Sequence, residues 1–187
     1  MTILAVCGLT KEAEIVGEGR TGEGGIFPYW SFSKTLLAAA ILALARDGKL
    51  ALDEPWRGKP FTLRQLLSHR AGVPNYGGLA EYHAAVARGD DAWPLEDLLA
   101  RAGAKSLLFA PGTACAYSNI GYALLRREIE DQSGSDLGRA MQTLVFDPLG
   151  VRDVRMALTR ADMQAMTWPG LRVYDPGWVY HGLAIGT

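Results

Sequence analysis

The chain has 187 residues, 49% of them hydrophobic and 21% charged, which is the composition of one folded globular domain and not of a disordered chain. Lysine plus arginine (19) against aspartate plus glutamate (20) leaves a formal charge of −1. With no clustered basic stripe, that balance provides no field to recruit nucleic acid or an anionic membrane.

Residues 1–30 read as sheet strands. "TILAVCGL" and "AEIVGEG" are strand-like and joined by "TKE", a hairpin pattern, and "GGIFPYW" carries a proline unsuited to a helix interior. A lone hairpin is marginal in water, so these strands call for more sheet. The N-terminal "MTILAVCGLT" lacks the basic region and cleavage site of a secretory leader, so the reading is cytoplasmic. Gly17, Gly19 and Gly22 match the glycine spacing of a dinucleotide-binding turn. That chemistry needs a helix N-terminus directly after the glycines, and "EGGIFPYW" cannot start one, so a glycine-rich hairpin is the reading.

A helix is predicted from Ser31 to Asp47, with Ser31 as its cap and Gly48 as its left-handed stop. Its apolar run, Leu36–Ala45, is 10 residues long, half of the roughly 20 needed to span a bilayer. Being apolar all round, it predicts a helix buried on most faces. Shorter helices are predicted over Leu63–His69, Leu79–Arg88, Leu95–Ala102, Ile120–Gln132 and Leu137–Val145, separated by "GVPNYGG", "APGT", "SGSD" and "DPLG". These place a mainly helical subdomain over 49–166, after a helix segment at 31–48 and before an irregular tail at 167–187. Cys7 and Cys115 are too few for a disulfide framework and lack metal-ligand spacing.

Two local patterns carry chemistry. In "SFSKT", Lys34 follows Ser31 by three residues, about 4.5 Å along a helix axis and on nearly the same face. A lysine amine whose pKa is lowered by burial can take the hydroxyl proton, and the helix N-terminus favours the resulting alkoxide. The plain alternative is a helix cap beside a solvated lysine. In "CAYSNIGY", alternation puts Tyr117 and Asn119 on one side of an extended segment. A phenolate beside a lysine is a general base, and an amide can donate to a substrate carbonyl. The plain alternative has Ser118 or Asn119 capping the next helix and Tyr117 in the core.

Taken together, "SFSKTLLAAAILALARDGKLALDEP", "FTLRQLLSHRAGVPNYG", "FAPGTACAYSNIGYALLRREIEDQSG" and "VFDPLGVRDVRM" stand in an order that resembles the penicillin-recognising serine hydrolases. The branch is that of class C β-lactamases, D-alanyl-D-alanine carboxypeptidases and related esterases. The resemblance runs from Tyr29 to about Met156 and implies an α/β (α+β) serine β-lactamase/DD-peptidase-like fold. It implies Ser31 as the acylated nucleophile, Lys34 as its proton-transfer partner, Tyr117 as base partner and Asn119 as the residue that orients substrate. His69, in the "LLSH" segment, is implied to be structural. A third motif is expected on a strand facing Ser31, where a second oxyanion donor would stand. His181 in "VYHGLAIGT" is the candidate, with a glycine-rich turn as the competing reading. On this comparison the chain is a partial domain that lacks the C-terminal sheet strands, and a second chain or another copy of this one could cover the open sheet edge. The implied substrate is a small-molecule ester or amide, attacked with no metal and no cofactor. Esters are favoured over β-lactams and cell-wall peptides by the cytoplasmic reading. A catalytically impaired relative and a non-enzymatic binding module are the alternatives.

Overall fold

The computed structural model describes residues 2–3, 19–20, 30–152 and 154. Thr2–Ile3 (β1) pairs antiparallel with Gly19–Arg20 (β2), Thr2 opposite Arg20 and Ile3 opposite Gly19. That register is symmetric about Lys11, the middle of the expected "TKE" connection. Gly19 therefore lies in a strand, while the expected connection and the rest of both strands lie outside the described residues.

Six α-helices follow among the described residues: α1 (Ser33–Arg46), α2 (Leu63–Leu67), α3 (Ala80–Arg88), α4 (Leu95–Arg101), α5 (Asn119–Ser133) and α6 (Leu137–Met141). The predicted starts and stops agree within a residue or two, except at the end of α6, because the chain marks them chemically. Thr62 and Gln65 form a reciprocal capping box at α2: the Gln65 N–H donates to Thr62 Oγ1 at 3.2 Å and the Thr62 N–H to Gln65 Oε1 at 3.0 Å. Asp136 caps α6 through the Arg139 N–H at 3.0 Å. Gly48, with φ +72°, closes α1 with Gly48 N–H to the Ala45 carbonyl and Lys49 N–H to the Leu44 carbonyl.

Three details depart from the sequence expectation. First, Ser31 does not cap α1. It sits in a 3-10 turn, Trp30–Phe32, and the cap position is Phe32, which makes no side-chain capping bond. The tighter turn takes up the residues that a simple cap would have used. Second, the burial of α1, which covers all of Leu36–Ala45 but Leu42 at least in part, is graded and not uniform. A single stripe of Ser33, Lys34, Leu37, Ala40, Ile41 and Leu44 is buried, whereas Leu42 is 49% exposed. The helical segments that pack most on α1 are α5, α6 and the turn after α6, so burial follows their side. Third, the helix expected to run to Val145 changes pitch after Met141 into a π turn, Gln142–Phe146, whose Asp147 N–H reaches back five residues to the Gln142 carbonyl. The wider turn lets Met141, Val145 and Phe146 all face the core.

That core joins α1, α2, α5 and α6, with Leu37, Ile41, Leu66, Ile120, Leu125, Ile129, Leu137 and Met141 all fully or almost fully buried. A smaller cluster of Tyr82, Ala85, Val86 and Ala92 sits under α3. Gly72 is obligatory where two loops meet: at φ +74°, an added Cβ would lie 2.4 Å from the Phe109 carbonyl oxygen. No helix among the described residues is long and apolar enough to cross a membrane.

Candidate active site

The entrance of α1, the C-terminus of α2 and the start of α5 converge on Ser31. Ser31 is exposed and its Oγ lies 2.8 Å from the Tyr117 hydroxyl, across 86 residues of chain. The Lys34 Nζ, one turn further along, donates to the same Oγ at 3.4 Å, a weaker contact. The fold thus brings together the three residues that the sequence motifs pick out, and the tyrosine is the closer partner of the serine.

Lys34 is the buried member, at 5% exposure. Its Nζ lies 5.1 Å from the centre of the Tyr117 ring and 5.8 Å from that of Tyr122. Burial pushes its pKa below the ordinary lysine value, and its hydrogen bond to and charge interaction with Tyr117 oppose that shift in part. A lysine in such a setting exchanges protons more readily than one in water.

Tyr117 is 46% exposed, while its neighbour Ser118 is buried. Ser118 caps α5. Its Oγ accepts the Gly121 N–H at 3.0 Å and its hydroxyl donates to the Pro74 carbonyl at 2.8 Å. Of the two capping alternatives, the serine is the cap. Asn119 is then the first residue of α5, half-buried, with its backbone N–H donating to Asn75 Oδ1 at 3.1 Å. The "VPNY" loop therefore holds the tyrosine–asparagine segment by a carbonyl and an amide oxygen.

Of two aromatic neighbours, His69 stands in the "LLSH" segment, and Tyr122 carries no obvious mark in the sequence. Tyr122 donates its hydroxyl to the Leu67 carbonyl at 2.9 Å, and its own pKa is raised by burial and then by Tyr117. Its place five residues after Tyr117 is the only available signal. His69 lies against Tyr117 with ring centres 4.6 Å apart and against Tyr122 at 5.1 Å. Its pKa is lowered by burial and by the nearby Lys34 charge. His181 and Cys7 lie outside the described residues, and Cys115 is a free, exposed thiol.

Comparison with known proteins identifies the family of the chain. The Beta-lactamase family model matches residues 6–181. The chain is 30% identical over 180 residues to penicillin-binding protein 4* of Bacillus subtilis (strain 168), covering 90% of this chain and 38% of that protein. It is 30% identical over 151 residues to the esterase EstB of Burkholderia gladioli, covering 70% of this chain and 38% of the esterase. In fold, it superposes on the D-amino acid amidase from Ochrobactrum anthropi SV3 with a TM-score of 0.72 at 21% identity, over 98% of this chain and 59% of the amidase. The chain thus spans well under half the length of the two sequence relatives. By the family match and the shared serine β-lactamase/DD-peptidase-like fold, it belongs to the Beta-lactamase family.

Proposed function

We propose that the chain carries the nucleophilic part of a serine hydrolase that opens an ester or amide carbonyl through an acyl-enzyme on Ser31. The observation that carries this reading is the 2.8 Å contact between Ser31 Oγ and the Tyr117 hydroxyl, with Lys34 Nζ at 3.4 Å on the same oxygen. In this scheme the Ser31 proton passes to the Tyr117–Lys34 pair as Oγ attacks the substrate carbonyl. The tetrahedral intermediate collapses, the C–O or C–N bond breaks, and the pair returns the proton to the departing oxygen or nitrogen. Water then attacks the acyl carbon as the pair removes one of its protons, the bond from that carbon to Ser31 Oγ breaks, and the pair returns the proton to Oγ as the acid leaves. Asn119, at the start of α5, is assigned to orient the substrate.

Esters are the favoured substrates within this scheme. An alkoxide leaves with less help from a proton than an amine does, and the relative from Burkholderia gladioli is named an esterase. The Ser31 N–H supplies one oxyanion donor. Loss of a second would cost about 100- to 1,000-fold in rate, so turnover is a sterner test than acylation.

The experiment is labelling of the full chain with a fluorophosphonate probe, with peptide mapping of the adduct and a parallel assay on a p-nitrophenyl ester. Adduct on Ser31, abolished by Ser31→Ala, is the expected result. Absence of any Ser31 adduct overturns the reading and leaves a binding role for the cleft.

A further inference from the structure

His69 occupies a backbone position that glycine normally fills. It follows α2 in the left-handed region, with φ +57°. Its N–H bonds the Leu66 carbonyl at 3.1 Å and the Arg70 N–H bonds the Gln65 carbonyl at 2.7 Å, which is a complete helix-terminating motif. A β-carbon is disfavoured there, so a side chain at this point suggests that the ring itself has a use.

The ring and its backbone grip the segment around Tyr117 in three ways. The His69 carbonyl accepts the Ala116 N–H at 3.0 Å. The ring Nδ1 accepts the Ser118 N–H at 3.2 Å. The ring lies against the Tyr117 ring at a 40° tilt, with centres 4.6 Å apart. The amides on both sides of Tyr117 are therefore bound to one residue, and the phenol lies tilted against it. We infer that His69 is a positioning residue that fixes the Tyr117 hydroxyl on Ser31 and does so only as a neutral imidazole with its proton on Nε2. The inference rests on the acyl-enzyme reading for its kinetic consequence, but the clamp itself is independent of that reading.

The tautomer follows from the partner. A backbone N–H can only donate, so Nδ1 must present a lone pair. Protonation would set two donors face to face and open the clamp. The titratable groups that face the ring are Lys34 from α1, Tyr117 from the segment before α5, and Tyr122 from α5. The remaining side borders a small pocket lined by Leu66, Ala71, Val73 and Gly121, with no titratable group. Lys34 is the one cation among these neighbours and, like burial, favours the neutral ring.

The test compares wild type, His69→Gly and His69→Asn in the full chain. Three quantities are measured: the rate of Ser31 labelling by the fluorophosphonate across pH, the urea midpoint, and the ultraviolet titration of the Tyr117 phenol, read against Tyr117→Phe in each background. His69→Gly suits the left-handed backbone, so its midpoint stays near wild type, while labelling falls about 100-fold, the size of a 1 Å misplacement. The Tyr117 titration shifts with it. His69→Asn tolerates the same backbone and offers Oδ1 to the Ser118 N–H, so it recovers most of the rate. It also loses the fall in labelling at acid pH that protonation of His69 produces in wild type. Wild-type labelling and an unchanged Tyr117 titration in His69→Gly overturn the inference, as does a rate loss that His69→Asn does not repair. If wild type is not labelled at all, the acyl-enzyme reading fails, and the Tyr117 titration alone decides the role of His69.

Discussion

At the scale of single residues, Lys34 makes the sharpest demand. Its amine is buried behind Ser31 and has its pKa lowered by that burial. One proton must leave the Lys34–Tyr117 pair before Ser31 can lose its own, so the acylation rate should rise with pH and level off below the ordinary lysine value of about 10.4. Lys34→Arg keeps the charge but cannot give up its proton at any working pH. It should slow Ser31 labelling by about 100- to 10,000-fold and erase the lysine's part in the pH profile. Stopped-flow labelling from pH 6 to pH 10 checks both outcomes, and a wild-type profile in Lys34→Arg would remove the amine from the proton path. Ser31 and Lys34 stood out in the sequence because their spacing is local, and Tyr117, 86 residues away, joined them only through the family resemblance. The grip of His69 was not legible, because it depends on a positive φ and on two amides that lie 47 and 49 residues further along the chain. Nothing local to "LLSHRAG" reports them.

At the scale of elements, helix ends were legible wherever a side chain makes the cap, as at Thr62, Ser118 and Asp136. They were missed where backbone geometry alone decides, at the 3-10 entrance of α1 and the π turn after α6. A further link between elements was invisible because its partners are 72 residues apart: Trp56 Nε1 donates to the Glu128 carboxylate at 2.9 Å, tying the 3-10 turn Trp56–Gly58 to α5. Arg57, at 2.6 Å, and Gln132, at 2.9 Å, share that carboxylate, whose side chain is 3% exposed. Glu128→Ala would leave the buried indole N–H without an acceptor, at a cost of about 1–3 kcal/mol. Arg57 adds less, being half-exposed and already 2.6 Å from Asp131. Glu128→Gln keeps an acceptor for the indole and should cost less than the alanine variant. Urea unfolding of the pair separates the two contributions, and equal losses would show that the charge outweighs the indole bond.

At the scale of the whole molecule, the α3 region rests on its own small cluster, which half-buried Tyr76 and Trp93 join to the main core that holds the site residues. Ser31, Lys34, His69 and Tyr117 are held by α1, α2 and α5, whose buried faces form the main core. The α3 helix rests on the small cluster of Tyr82, Ala85, Val86 and Ala92 and has no side-chain cap at its start. Few buried contacts and an uncapped end predict local opening at lower free energy than the global transition. Amide hydrogens of α3 should therefore exchange ahead of those in α1 and α5. Ala85 is fully buried in the middle of α3, and Ala85→Gly costs about 1 kcal/mol through backbone freedom. If α3 opens on its own, that variant speeds exchange in α3 about fivefold, leaves α5 protection unchanged and leaves the Ser31 labelling rate within about twofold of wild type. If protection falls equally in α3 and α5, the described helices open as one unit and the separation is refuted. Mass-spectrometric exchange on wild type and Ala85→Gly, with labelling run on the same samples, distinguishes the two. The separation also bears on function, because a region that opens without moving α1 or α5 leaves Tyr117 seated on Ser31.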